Sequence, residues 1–242
     1  MSSPTDRVAV ILGARNLGGA VADHLTERAW RVAAVARSEE SVQGHGELGI
    51  TADASDPDSL AGALARVRDE LGPPALIVNA VSASRPPDDG AGFGGGPIAD
   101  ATLAGFDGWA AAVAEQSFVF LNTGVTALRE GGRGGTLIQV TGGSSRRAMP
   151  GRGLWSAGAQ ATRAMVHAAA QELREEEIHV ALLIVDATIE SPKTADFARD
   201  QPKVALADQG LIAEAVEYLA NQQPRAYTHE LMLTPAGDRW VP

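Results

Sequence analysis

The chain has 242 residues, enough to bury one continuous core as a single domain, and its 45% apolar and 21% charged residues are the balance of an ordinary globular protein. A formal charge of −10 opposes a nucleic-acid partner, which calls for a basic face, and no apolar run has the span of a membrane helix. With no cysteine, disulfides, thiolate nucleophiles and thiolate metal sites are excluded.

Residues 1–7 are polar and carry no apolar segment, so no secretion signal is expected and the expected location is cytoplasmic. The run 7–12 is apolar and ends at Gly13, which predicts a buried parallel strand. Residues 17–29 follow as an amphipathic helix with Val21, Leu25 and Ala29 on one stripe. A strand over 31–36, a short strand near 48–52 and a helix from Asp56-Pro57 to Leu71 come next, the proline suiting a first helical turn. A strand is predicted over 75–79. Residues 82–97, rich in Gly, Pro and Asp, read as a surface loop. Then come a helix over 107–129, a strand over 136–140, a Gly/Arg-rich turn over 142–153 and an alanine-rich helix over 153–176. A strand over 178–185, a helix over 211–221 and a strand over 230–233 complete the chain. This alternation predicts an α/β fold, a doubly wound parallel sheet of Rossmann type, as one domain spanning residues 1–242.

A strand, a Gly-rich turn and a helix together suggest a dinucleotide site. The helix start offers unpaired N–H groups to a pyrophosphate, and glycine lets the backbone come close. Many strands end in such turns for structural reasons alone, but this one follows the first strand. The segment Val8-Ala-Val-Ile-Leu-Gly-Ala-Arg-Asn-Leu-Gly18 resembles the opening T-G-x-x-x-G-x-G of the short-chain dehydrogenase/reductase family. Aligned on the strand, Leu17 falls at the middle glycine. Aligned on the helix, which fits the distance to the second strand, Gly18 is the last glycine and Asn16 takes the middle place, where Asn tolerates a left-handed backbone. The resemblance implies that Gly13, Arg15, Asn16, Leu17 and Gly18 line a cofactor. Arg37, with Ala36 where an acid would hold a ribose hydroxyl, resembles the NADP pattern, although a solvated strand end reads equally well. Asp53-Ala54 resembles the pair beside the adenine, Asn79-Ala80 the Asn-Ala of N-N-A-G, and Ile189 the Ile of P-G-x-I-x-T, where Pro-Gly has become Asp186-Ala187. The implied cofactor is NADP(H).

The family's chemistry uses an Asn, a Ser and a Tyr-x-x-x-Lys, in which the lysine lowers the phenol's pKa. Here Gln116, Gly142, Trp155 and Ala159 fall at those four positions. An indole donates a hydrogen bond but does not titrate usefully, so Trp155 is not the same acid. Ser144, or Ser145, reaches the site if the turn is rearranged, and Asp186 and Glu190 are the nearest candidate bases. The tail 226–235 resembles an atypical bacterial branch that ends in W-T-H-E-L-D-L-R-P and lacks the Tyr.

His24, His167, His179 and His229 show no metal-ligand spacing, so no metal site is expected. Arg146, Arg147 and Arg152 ring the expected cleft mouth, either to bind an anion or as a solvated turn. Trp155, Met149 and Leu154 suit an apolar or polycyclic substrate, or else Trp155 plugs the vacated site. The helix 153–176 resembles the family's oligomer interface, which implies a homodimer or homotetramer. Three functions stand open: an NADPH-dependent reductase of a small hydrophobic carbonyl or enone, a repurposed isomerase, dehydratase or cyclase, and a non-catalytic dinucleotide sensor or partner subunit.

Overall fold

The computed structural model describes residues 7–88, 90 and 92–238. The apolar run Val8–Leu12 forms β1, buried at all of its positions because helices cover both faces of the sheet. It leads through the glycine turn into α1 (Leu17–Glu27) and then β2 (Arg31–Ala36) and β3 (Leu48–Thr51). α2 (Pro57–Glu70) begins as its sequence predicts: Asp56 accepts the Ser59 N–H at 2.7 Å and Pro57 opens the first turn. After β4 (Pro74–Asn79) comes the stretch predicted as a loop over 82–97, of which the described residues, 82–88, 90 and 92–97, form no helix or strand, while 89 and 91 lie outside the described residues. Then comes the short α3 (Leu103–Phe106). It runs through a π-helical turn, Asp107–Ala111, into α4 (Ala112–Gly131). The remaining elements are β5 (Gly135–Gly142), α5 (Gly153–Glu172), β6 (Ile178–Val185), β7 (Thr188–Ile189), α6 (Ala195–Ala198), β8 (Leu206–Ala207), α7 (Gln209–Ala220) and β9 (Glu230–Leu233).

Seven strands pair in parallel in the order β3-β2-β1-β4-β5-β6-β9. Alternate residues of each strand face opposite layers. Val8, Val10 and Leu12 pack with α2, α4 and α5, whereas Ala9 and Ile11 pack with α1 and α7. The strand order reverses between β1 and β4, and there the crevice opens at the carboxyl ends of the strands.

The departures from the predicted elements have local causes. α1 stops at Glu27 because Ala29 turns left-handed, with φ 61°. The helix expected from 107 starts earlier, at Leu103, where the Thr102 hydroxyl caps the Gly105 N–H at 3.0 Å. α5 ends at Glu172 and passes through a 3₁₀ turn, Arg174–Glu176, to a left-handed Glu177. The β7–β8 pair was not predicted; two-residue strands carry too little periodicity to be read.

Candidate functional site

The glycine turn is shaped by close backbone approach. Gly13 has φ +90°, and a Cβ there would lie 2.8 Å from the Ala80 carbonyl oxygen. A Cβ on Gly18 would lie 2.4 Å from the Gly13 carbonyl oxygen. One on Gly19 would lie 2.5 Å from that of Ala14. Leu17 turns inward to the core beside Ala9 and Ile11, and Arg15 is exposed. Asn16 does not take the left-handed conformation expected of it: its φ and ψ are −128° and −104°. Gly13 already makes the left-handed bend, so the later residue has no need to. Asn16 places no side-chain cap on α1, and the first turn carries no acidic residue, so its amides face the crevice ready for an anion.

Beside this cradle, Arg37 is exposed just past β2, next to Ala36. Asp53 accepts the Ser55 N–H at 2.9 Å and an Arg85 guanidinium N–H at 3.2 Å. Burial pushes the Asp53 carboxyl upward, but the Ser55 hydrogen bonds and the charges of Arg85 and Arg37 outweigh it and hold the pKa below the usual value. Ala54 is buried, and its carbonyl oxygen accepts the Gln116 amide at 3.3 Å.

The crevice floor is a buried amide network. The Asn79 amide donates to Gln116 Oε1 and Gln139 Oε1, each at 2.8 Å, while Gln116 Nε2 donates back to Asn79 Oδ1 at 3.2 Å. The Val81 N–H reaches Asn79 Oδ1 at 3.3 Å. All three amides are almost wholly buried and each is hydrogen-bonded, so the network holds the ends of β4, β5 and α4 in fixed relation. Gln116 is thereby committed to the floor. Gln139 was not singled out in the sequence; a lone amide inside the apolar run Leu137–Val140 was its signal.

At the other side of the crevice, Gly142 ends β5 and Ser145 is buried, its hydroxyl donating to the Gly142 carbonyl at 2.9 Å. Ser144 is half-buried beside it. Asp186 is joined to Arg147 by two hydrogen bonds of 2.5 and 2.9 Å, and a Cβ on Gly143 would lie 1.9 Å from its Oδ1. The hydrogen bond to Asp186 raises the Arg147 pKa in spite of burial. That geometry makes Asp186 an anchored ion-pair partner. Ile189 lies in β7, half-buried against the core, and Lys193 Nζ donates to the Ser82 hydroxyl at 3.3 Å, linking the segment after β7 to the loop after β4. Glu230, opening β9, gathers Arg163 at 2.6 Å, His167 at 2.9 Å and Arg146 at 3.7 Å. Burial acts to raise its pKa, but the hydrogen bond from Arg163 and the surrounding positive charges carry it lower.

Trp155 stands in the first turn of α5, and Ala159 is buried one turn later. Trp155 meets Trp109, from the π-helical turn, at a centroid distance of 6.0 Å and an interplanar angle of 89°. Phe93, from the loop over 82–97, closes the group.

The family model described as enoyl-(acyl carrier protein) reductase matches residues 12–228. The chain belongs to the short-chain dehydrogenase/reductase family. Its fold matches an alcohol dehydrogenase of the archaeon Thermococcus sibiricus, solved with 5-hydroxy-NADP, at a TM-score of 0.77 and 22% identity over 98% of this chain and 99% of that one. A variant of the actinorhodin polyketide ketoreductase, solved with NADPH, gives 0.76 and 20% identity over 99% and 100%. A blue fluorescent protein from a metagenomic library, also with NADPH, gives 0.78 and 22% identity over 97% and 98%. At these identities the likeness is one of fold. No curated protein matches in sequence.

Within this short-chain dehydrogenase/reductase fold, Gly13, Gly18, Arg37, Asp53, Ala54, Asn79, Ala80 and Ile189 all lie along the carboxyl ends of the strands. Gln116 and Ala159 are buried, Gly142 ends a strand, and Trp155 is half-buried against Phe93 and Trp109. Among the described residues no group of three His, Asp or Glu is placed to hold a metal, and no helix is long and apolar enough to cross a membrane. His24 pairs with Glu217 at 2.7 Å, and His179 is buried in a stack on Tyr227. The sequence did not point to Phe93 or Arg85, because loop residues show their role only through what they touch.

Proposed function

We propose that this chain is an atypical NADP(H)-dependent reductase of a small hydrophobic carbonyl or enone, working without the family's Tyr/Lys proton relay. The observation that carries the reading is the glycine cradle. Three positions where no side chain fits surround an uncapped helix start, with Arg37 exposed beside Ala36 and no carboxylate in that place. The first-turn amides of α1 would hold a pyrophosphate, Arg37 a 2′-phosphate, and Asp53 with Ala54 an adenosine. The NADP(H) carried by the similar folds supports the same choice. When bound, the nicotinamide supplies hydride.

What the chain itself adds is orientation. The amide floor keeps the ends of β4 and β5 fixed, and the Asp186–Arg147 pair fixes the turn after β5 against the end of β6. With Trp155 and Ala159 at the relay positions, the proton that completes the reduction, on the oxygen of a carbonyl or the α-carbon of an enone, comes from water or from the substrate. Calorimetric titration with NADPH, NADP+, NADH and NAD+ tests the reading. The expected result is binding that prefers the phosphorylated forms and falls at least tenfold in Arg37→Ala. Binding without turnover of any ketone or enone would move the chain to the sensor reading. Failure to bind all four nucleotides would overturn the reductase and leave the repurposed, cofactor-free enzyme. The proposed assembly is a homodimer or homotetramer through α5, measurable by sedimentation.

A further inference from the structure

We infer that the corner between Trp109 and Trp155 is a seat for a flat, electron-rich aromatic ring of a small ligand, and that Phe93 is its intramolecular occupant. The two indoles stand at 89° to each other and form two walls of a right-angled recess. Trp109, only 6% exposed, is the rigid wall, held in the π-helical turn; such turns are frequent at functional positions. The phenyl ring of Phe93 lies in the recess, 5.1 Å from Trp109 at 73° and 5.5 Å from Trp155 at 56°. These are the tilted, edge-to-face contacts that aromatic quadrupoles favour and a saturated ring does not reproduce. The Arg152 guanidinium lies 5.3 Å over the same phenyl ring, which adds a cation–π preference for electron-rich rings.

Phe93 remains 55% exposed, so much of its surface faces solvent while its ring rests against the two indoles. It arrives on a glycine arm, Gly94–Gly96, whose three φ angles of +92°, +92° and +74° are open to glycine and strained for other residues. The arm is packed in place: Gly94 and Gly95 are buried, and a Cβ on Gly95 would lie 2.7 Å from Leu154 Cδ1. The backbone N–H of Trp155 reaches the Gly94 carbonyl at 3.5 Å, and Gly96 bridges Arg152, so it is the Phe93 side chain that must swing out to free the seat. A fused two-ring ligand that displaced Phe93 would meet both indoles and the guanidinium. The occupied state therefore lowers apparent affinity by the fraction of molecules in which the seat is closed, and removing the phenyl lifts that penalty.

This inference deepens the reductase reading by naming an aromatic substrate, and rests on it only for the reaction that follows binding. The test is a titration of the nucleotide-free protein with 2-naphthol, followed by calorimetry, with decahydro-2-naphthol as the saturated control. Saturable 2-naphthol binding is expected, at least tenfold stronger than that of the control. Phe93→Ala should tighten it threefold or more, and Trp155→Ala should weaken it tenfold or more. Equal affinity for the saturated control, no saturable binding in both the parent and Phe93→Ala, or weaker binding in Phe93→Ala would each overturn the inference. Naphthol binding without nucleotide binding would keep the seat and discard the reductase, whereas nucleotide binding without naphthol binding would do the reverse.

Discussion

Replacing glycine by alanine in a helix normally stabilises a protein, and α1 and α2 set up opposite outcomes for that same change. Gly62, in the exposed middle of α2, has nothing within 4 Å of an added Cβ. Gly62→Ala should therefore gain the helix-propensity difference of about 0.8–1 kcal/mol. Gly18 is the second residue of α1, where the same gain is at most about 1 kcal/mol. There the new Cβ would fall 2.4 Å from the Gly13 carbonyl oxygen and 2.8 Å from its carbon, against backbone that must itself move. Such overpacking costs roughly 3 kcal/mol, leaving Gly18→Ala about 2 kcal/mol less stable than the parent. For a domain of this size, each kcal/mol moves Tm by about 2–4 °C. Thermal unfolding followed by circular dichroism should then show Gly62→Ala about 2–4 °C above the parent and Gly18→Ala roughly 4–8 °C below it. Equal or higher stability in Gly18→Ala would mean that the cradle is not close-packed, and the argument for a pyrophosphate site would lose its footing.

Removing the Asn79 amide with Asn79→Ala should cost about 3 kcal/mol in urea unfolding, because Gln116 and Gln139 would be left buried with unmade hydrogen bonds; a loss under about 1 kcal/mol would contradict a coupled network. Asp186→Asn should destabilise by about 2–3 kcal/mol through the part-buried Arg147, and its effect on any turnover should not follow the pH profile of a lost general base, since the carboxylate is engaged by two guanidinium hydrogen bonds. Glu230→Gln should lower stability in a pH-dependent way. Because the folded pKa is depressed, the carboxylate's contribution is present above its unfolded value of about 4.3 and is lost as pH falls through the folded value. The gap between parent and variant in urea unfolding should therefore be wide near pH 7 and close as pH falls through the depressed folded value, and a gap independent of pH would refute the charge argument.

Much of the fold was legible because its signals are local. The run Val8–Leu12 is apolar at every residue, Asp56-Pro57 announces α2, and strands alternate with helices along the whole chain, so the parallel sheet and its two helical layers followed from periodicity and capping. The glycine turn was legible too, since Gly13 and Gly18 occupy positions fixed by how closely backbone approaches backbone. Through the family resemblance, the sequence implies that Trp155 and Ala159 stand where a titrating phenol and a lysine are expected.

Partnership was decided only by the tertiary structure. Asn79 meets Gln116 and Gln139 across 37 and 60 residues of chain, and Asp186 meets Arg147 across 39. The Gln139 and Arg147 pairings depend on the register of neighbouring strands and that of Gln116 on how α4 packs on the sheet, none of which side-chain identity encodes. The left-handed bend expected at Asn16 belongs to Gly13, because one such residue suffices to aim the chain into α1. Phe93 sits in a stretch with no periodicity, and its meeting with Trp109 and Trp155 arises because a loop, a π-helical turn and a helix start converge at one end of the sheet. Local periodicity determined which segments are strands and helices, whereas contacts between distant segments, set by register and layer packing, determined which side chains form the site.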